Sequence, residues 1–166
     1  MRSATSAVAL VAVGVLGACK PAEPTDDPAL VPPVFGEPVI EPWLDAGHYK
    51  SWDCDAAPRD SSGLSPHGVV RTCTNPIAAA AAVGADWPVD SAFVMELYEP
   101  TGELRGRGVQ RRSEPGGAGD SWYWYLNAGG ALAADGWGFE GPARDDCSSC
   151  HVLAGTAGNP GHGFVF

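Results

Sequence analysis

Side-chain character alternates through the middle of the chain. In "SAFVMELYE", Phe93, Met95 and Leu97 fall on one side and Val94, Glu96 and Tyr98 on the other. That two-residue period is the mark of a β-strand. "HGVVRTCTN" is short and β-branched, a second strand. "PTG" turns the chain into "ELRGRGVQRR", and the loop "SEPGGAGD" leads to "SWYWYLN". There Trp122 and Trp124 point one way, Tyr123 and Tyr125 the other. "NPIAAAAAVGA" is different: Asn75 is a capping residue and Pro76 suits a first turn, so a short helix is expected. No long 3.6-residue pattern supports a helical bundle. The expectation is an α+β fold, a mainly antiparallel β-sheet meander with short helices.

Ahead of these strands the pattern changes twice. Residues 1–18 hold Arg2, the apolar run "AVALVAVGVL" and then small residues, the order of an export signal. The run is far shorter than the roughly 20 apolar residues a spanning helix needs. It ends in "LGAC", which resembles a bacterial lipobox and makes Cys19 the residue to be lipidated; ordinary cleavage nearby, leaving Cys19 free, is the alternative. Acyl chains contribute about 0.8 kcal/mol per buried CH₂, enough for a multiply acylated cysteine to hold a protein on a membrane. An exported, lipid-anchored protein facing the periplasm is expected, and Lys20 after the cysteine favours the outer membrane. "KPAEPTDDPALVPPVFGEPVIEP" is rich in proline and acid and shows no period. Residues 19–46 therefore read as the lipidated cysteine and an extended tether, with one folded domain over 47–166.

The formal charge of −10 grows more negative once Arg2 leaves with the signal. Such an acidic chain argues against nucleic-acid binding and for contact with the membrane through the anchor only.

Cysteine chemistry narrows the function. Cys147, Cys150 and His151 in "DDCSSCHVLAG" form C-x-x-C-H, the pattern that attaches a c-type haem. Two thiols at this spacing reach the two vinyl groups of one haem, and the next histidine offers a neutral imidazole to the iron. Asp145 and Asp146 are suitable helix-start residues. A zinc site would need a fourth ligand and usually a second close pair. A redox C-x-x-C normally opens a long helix, whereas the residues after His151 are Gly-rich. One covalently attached haem c is the expected cofactor, with Cys147 and Cys150 as thioethers and His151 as proximal iron ligand. Of the five cysteines, Cys54 and Cys73 remain. In an exported chain they are expected to pair, contributing about 3 kcal/mol on the chain-entropy model.

An electron-carrying cytochrome c commonly has a methionine well after its haem motif as sixth ligand. The two methionines here are Met1, in the signal, and Met95, on a strand upstream of the motif. A five-coordinate iron is expected.

With its strands and motif in this order, the chain resembles the P-460 cytochromes and the β-type cytochromes c′. The resemblance covers about residues 47–166 and is carried by "HYKSWDC", "SPHGVVRTCTN", "FVMELYEPTGEL", "GDSWYWYLNAGG", and "CSSCH" followed by "GFVF". It implies a mainly antiparallel sheet, a homodimer, His151 as proximal ligand and an open distal site for hydroxylamine, nitric oxide or carbon monoxide. Hydroxylamine-oxidising members carry a lysine bonded to the haem ring. Met95 stands where relatives often have that lysine, and only Lys20 and Lys50 are present, which implies a haem without the cross-link.

On the distal side, Phe93 is the candidate apolar cap, Met95 its neighbour, and Glu96 a candidate proton carrier if burial beside haem raises its pKa. His67 reads as a turn residue, with a distal role as the alternative, and His48 and His162 as exposed loop residues rather than iron ligands. Arg105, Arg107, Arg111 and Arg112 either pair with acids or haem propionates, dock an acidic redox partner protein, or are ordinary exposed strand arginines. Three functions remain open: an oxidoreductase of small nitrogen species, a gas-binding protein without turnover, and a plain electron carrier.

Overall fold

The computed structural model describes residues 27–34, 36–61, 65–81, 86–115 and 121–137. Strands β3 (Val69–Thr74), β4 (Ala92–Tyr98), β5 (Leu104–Arg112), β6 (Trp122–Ala128) and β7 (Ala131–Trp137) form an antiparallel meander in that order. The two-residue strands β1 (Asp53–Cys54) and β2 (Arg59–Asp60) both pair with the outer side of β3. With short helices added, the described residues form the expected mainly antiparallel α+β fold.

The periods seen in the sequence decide which face each side chain takes. Val94 of β4 packs with Val109, Tyr123 and Tyr125 on one face. Phe93 packs with Trp122 and Trp124, and Met95 with Val70 and Leu97, on the opposite face. Every residue from Ala92 to Leu97 is buried, so both faces of the central strand are covered.

Helix α1 (Glu37–Ala46) covers the first face. Its Ile40, Trp43 and Leu44 are buried, together with Tyr49 and Trp52 beyond its end. Trp43 Nε1 donates to the Pro28 carbonyl and Trp52 Nε1 to that of Ala29, both at 2.8 Å. The expected tether over 19–46 is therefore corrected over residues 27–34 and 36–46, which pack into the fold. Pro38 lies in the first turn, where the missing N–H costs nothing, and Pro42 forgoes one helical bond. Burial of three large side chains at i, i+3 and i+4 outweighs that loss.

Strand β7 was also not expected, since "ALAADGW" has little β-propensity. It forms because Gly129 and Gly130, at φ 65° and 80°, make the two-residue turn that folds the chain back onto β6. Two consecutive positive φ values suit glycine and match the twist of a hairpin.

Helix α2 (Pro76–Ala79) begins at the expected cap, Asn75, which is fully buried. Its Oδ1 accepts from Ala78 N at 2.9 Å and Ala92 N at 3.0 Å. Its Nδ2 donates to the carbonyls of Leu30 and Asp90, each at 2.8 Å. One side chain thus ties the N-terminal segment, α2 and the start of β4 together. Cys54 and Cys73, opposite each other in β1 and β3, are joined by a disulfide.

Candidate functional site

The cross-strand register assembles the face that carries Phe93 and Met95. Directly opposed residues of an antiparallel sheet put their side chains on the same face. Phe93 lies between Thr74 of β3 and Gln110 of β5, and Gln110 lies beside Trp124 of β6. Met95 lies between Thr72 and Gly108, and Gly108 beside Leu126. Trp87 meets Phe93 edge-on at 5.2 Å, and Trp122 lies tilted against it at 6.1 Å. This aromatic face is walled by Phe93, Trp122, Trp124 and Met95, with Gly108 contributing no side chain between Met95 and Leu126.

Polar atoms on this face are not all satisfied. Gln110 is 2% exposed, and among the described residues neither its Oε1 nor its Nε2 has a hydrogen-bond partner. Thr72 Oγ1 is likewise buried without a partner. Sequence reading missed Gln110. The two-residue period of "RGRGVQRR" separates Gly106, Gly108 and Gln110 from Arg105, Arg107 and Arg111. Its neighbours, however, follow only from the strand register.

Glu96 does not belong to this face. Its side chain points to the helix-covered side, where it accepts from Tyr49 Oη at 2.6 Å, Tyr98 Oη at 2.7 Å and Arg71 Nη1 at 3.2 Å. Burial alone would raise its pKa, but these three donors outweigh burial and hold it below the ordinary carboxylate value. This corrects the expectation for Glu96 as a proton carrier beside Phe93 and Met95. A β-strand sends consecutive side chains to opposite faces, and the carboxylate is committed to three donors. The tyrosines respond in the opposite sense. Burial and the bond to Glu96 raise the Tyr98 phenol to about 12 and push Tyr49 higher still.

The arginines are engaged within the fold. Arg107 pairs with Glu41 and Asp45 of α1, and Arg111 with Asp90 at 2.7 Å and the Pro32 carbonyl at 2.8 Å. Arg112 is buried and donates to the Glu114 carbonyl at 3.0 Å, while Arg105 donates to the His67 carbonyl at 3.3 Å. Pairing with the protein's own acids, one of the expected roles, accounts for Arg107 and Arg111. His67 sits in the turn before β3, its pKa lowered by burial and then by Arg105. His48 is exposed in the short 3₁₀ turn His48–Ser51, beside Trp43.

Cys147, Cys150, His151, His162 and Cys19 lie outside the described residues. Among the described residues no group of His, Cys, Asp or Glu could hold a metal ion, and no helix is long and apolar enough to cross a membrane. No protein-family model matches the chain, and no curated protein matches it significantly.

The aromatic face is apolar and buried, with its rings edge-on or tilted to one another. Among the described residues it also holds a buried amide and a buried hydroxyl without partners, groups that cost about 1–3 kcal/mol each when left unpaired.

Proposed function

We propose that this protein is an exported, lipid-anchored monohaem c-type cytochrome of P-460/c′-β type that binds small nitrogen ligands at an open haem face. The observation that carries the reading is the C-x-x-C-H motif at Cys147, Cys150 and His151 in a chain with an export signal. When bound, the haem supplies an iron centre with a vacant position for hydroxylamine, nitric oxide or carbon monoxide, and one-electron chemistry. Cys147 and Cys150 would hold it covalently, and His151 would orient it from the proximal side. Phe93, Met95, Trp122 and Trp124 would wall the other side, excluding water and favouring small uncharged ligands. The disulfide between Cys54 and Cys73 accords with an oxidising compartment.

The test is expression of the full chain in a bacterium that matures c-type cytochromes. Haem resistant to acid–acetone extraction is expected in the wild type, and loss of that resistance in the Cys147→Ala/Cys150→Ala variant. Retention of haem by the double variant would remove the central assignment. The three functions then separate by measurement. A six-coordinate low-spin spectrum indifferent to carbon monoxide marks an electron carrier. A high-spin spectrum that responds to carbon monoxide marks a ligand binder. Reduction of an added acceptor by hydroxylamine marks an oxidoreductase.

A further inference from the structure

All four tyrosines of the chain donate their hydroxyl to a carboxylate: Tyr49 and Tyr98 to Glu96, Tyr123 to Asp135 and Tyr125 to Glu41. A phenol is a poor one-electron donor while it keeps its proton, because the radical cation it would form is a very strong acid. A carboxylate already bonded to the hydroxyl removes that obstacle, since the proton crosses the existing bond as the electron leaves. Tyr49 differs from the other three in its surroundings. It is 1% exposed, and its ring lies 6.0 Å from that of Trp43, which lies 5.7 Å from that of Trp52. Trp43 and Trp52 keep 6% and 7% of their surface in solvent, so the stack of rings runs from the surface to a buried phenol. Among the described residues, Tyr98 and Tyr125 have no indole against them. Tyr123 meets Trp137 at 5.5 Å, but its oxygen also accepts from Gly36 N, a bond that draws electron density from the phenol and opposes its oxidation.

We propose that Tyr49 is a site of reversible one-electron oxidation, reached from the surface through Trp52 and Trp43, with Glu96 as the acceptor of its proton. The oxidant is an outer-sphere one-electron acceptor that meets the exposed indole edges; no haem takes part in the step. One electron passes from Tyr49 through Trp43 and Trp52 to that acceptor, which is reduced by one. The phenolic proton moves along the 2.6 Å bond to Glu96, so a neutral tyrosyl radical and a neutral carboxylic acid replace a phenol and a carboxylate. The charge left behind is that of Arg71, no longer neutralised by Glu96, and its side chain is 27% exposed, where water can solvate it. Tyr98 stays bonded to the acid. The indoles donate to the main-chain carbonyls of Pro28 and Ala29, which cannot take a proton as a carboxylate can. The oxidised state therefore settles on Tyr49 rather than on either tryptophan. At rest Tyr49 is a phenol, since burial and then the bond to Glu96 push its pKa far above the ordinary value.

The experiment uses the full disulfide-bonded chain, oxidised beforehand so that any haem is ferric, with ruthenium(III) tris(bipyridine) generated by a laser flash as the oxidant. Transient absorption and low-temperature electron paramagnetic resonance should show a tyrosyl radical in the wild type, in Tyr98→Phe and in Tyr123→Phe. In Tyr49→Phe the tyrosyl signal should be lost and a tryptophan radical should remain. Glu96→Gln keeps the size of the side chain, and there the tyrosyl radical should form about a hundredfold more slowly, the usual contribution of a positioned proton acceptor. In Trp43→Phe the yield should drop, because a phenyl ring is too hard to oxidise to relay the electron. Formation in the wild type should slow in heavy water. An undiminished tyrosyl signal in folded Tyr49→Phe, or an unchanged rate in Glu96→Gln, would overturn the proposal. A wild-type signal from tryptophan alone would overturn it without any variant. A purely structural role for the Tyr49 hydroxyl would move the thermal midpoint but not the identity of the radical.

Discussion

Asn75→Ala should be among the most destabilising single changes in the described part of the molecule. The side chain is fully buried and makes four hydrogen bonds, to Ala78, Ala92, Leu30 and Asp90. Truncation leaves four main-chain groups without their partner. At about 1 kcal/mol for each net bond, the loss is about 4 kcal/mol. Domains of this size are stable by roughly 5–15 kcal/mol, so a large share of the total would go. The midpoint of thermal unfolding should fall by roughly 20 °C. Urea unfolding followed by tryptophan fluorescence, with the disulfide intact, reads the change directly. Asn75→Asp separates two accounts of the residue. Aspartate is as good a helix cap as asparagine. If capping α2 were the main role, that variant would be nearly as stable as the wild type. With the network seen here, a carboxylate oxygen would instead face the carbonyls of Leu30 and Asp90, and the loss should match or exceed that of alanine. A destabilisation below about 1 kcal/mol for Asn75→Ala would refute the reasoning.

Cys54→Ala with Cys73→Ala should cost about 3 kcal/mol, and a non-reducing digest of the wild type should yield one peptide containing both cysteines. Glu96 has a folded pKa below its unfolded value, so its contribution to stability is present above the unfolded pKa and lost as pH falls through the folded one. Unfolding free energy should therefore decline in acid less steeply for Glu96→Gln than for the wild type, and parallel acid profiles would show that the three donors do not depress this carboxyl. If the proposed resemblance to the P-460 cytochromes holds, with Met95 where relatives carry a lysine, the haem should be attached to the Cys147–Cys150 peptide alone and hydroxylamine oxidation should be weak or absent. A second haem-linked tryptic peptide containing Lys50, with brisk hydroxylamine turnover, would reverse that expectation.

The meander was legible in the sequence because its strands keep a clean two-residue period. The alternation around Phe93 and around Trp122 placed these side chains on their faces before any register was known. Asn75 was legible as a cap, but its bonds to Leu30 and Asp90 span the chain and leave no local mark. Helix α1 was hidden by Pro38, Pro42 and two glutamates, which mimic an extended linker. Its stripe of Ile40, Trp43 and Leu44 was present all the same, at helical spacing. The same alternation that located Phe93 and Met95 also assigns Glu96 to the other face. Grouping the three as one site set sequence proximity above strand geometry. What the sequence could not supply was register, and register alone brings Gln110 between Phe93 and Trp124.

The polar groups that hold helix α1 to the sheet are largely paired, whereas two buried side chains beside Phe93 and Met95 are not. On the helix-covered face, Glu96 accepts from three donors, Tyr125 donates to Glu41, and Arg107 and Arg111 are paired with acids. These arrangements hold α1 and the N-terminal segment to the sheet, and a ligand there would have to break them. On the aromatic face, the polar side-chain atoms of Gln110 and Thr72 Oγ1 have no partner among the described residues. A stable fold has no use for unpaired buried donors, since apolar residues of the same shape would serve it better. Under the haem reading proposed above, a bound group would supply the missing partner. Binding would then recover part of the free energy forgone in the unliganded fold. By this logic, substitutions that relieve the strain on the aromatic face should stabilise the protein while weakening what it binds. Substitutions in the paired network should lower stability without altering ligand chemistry.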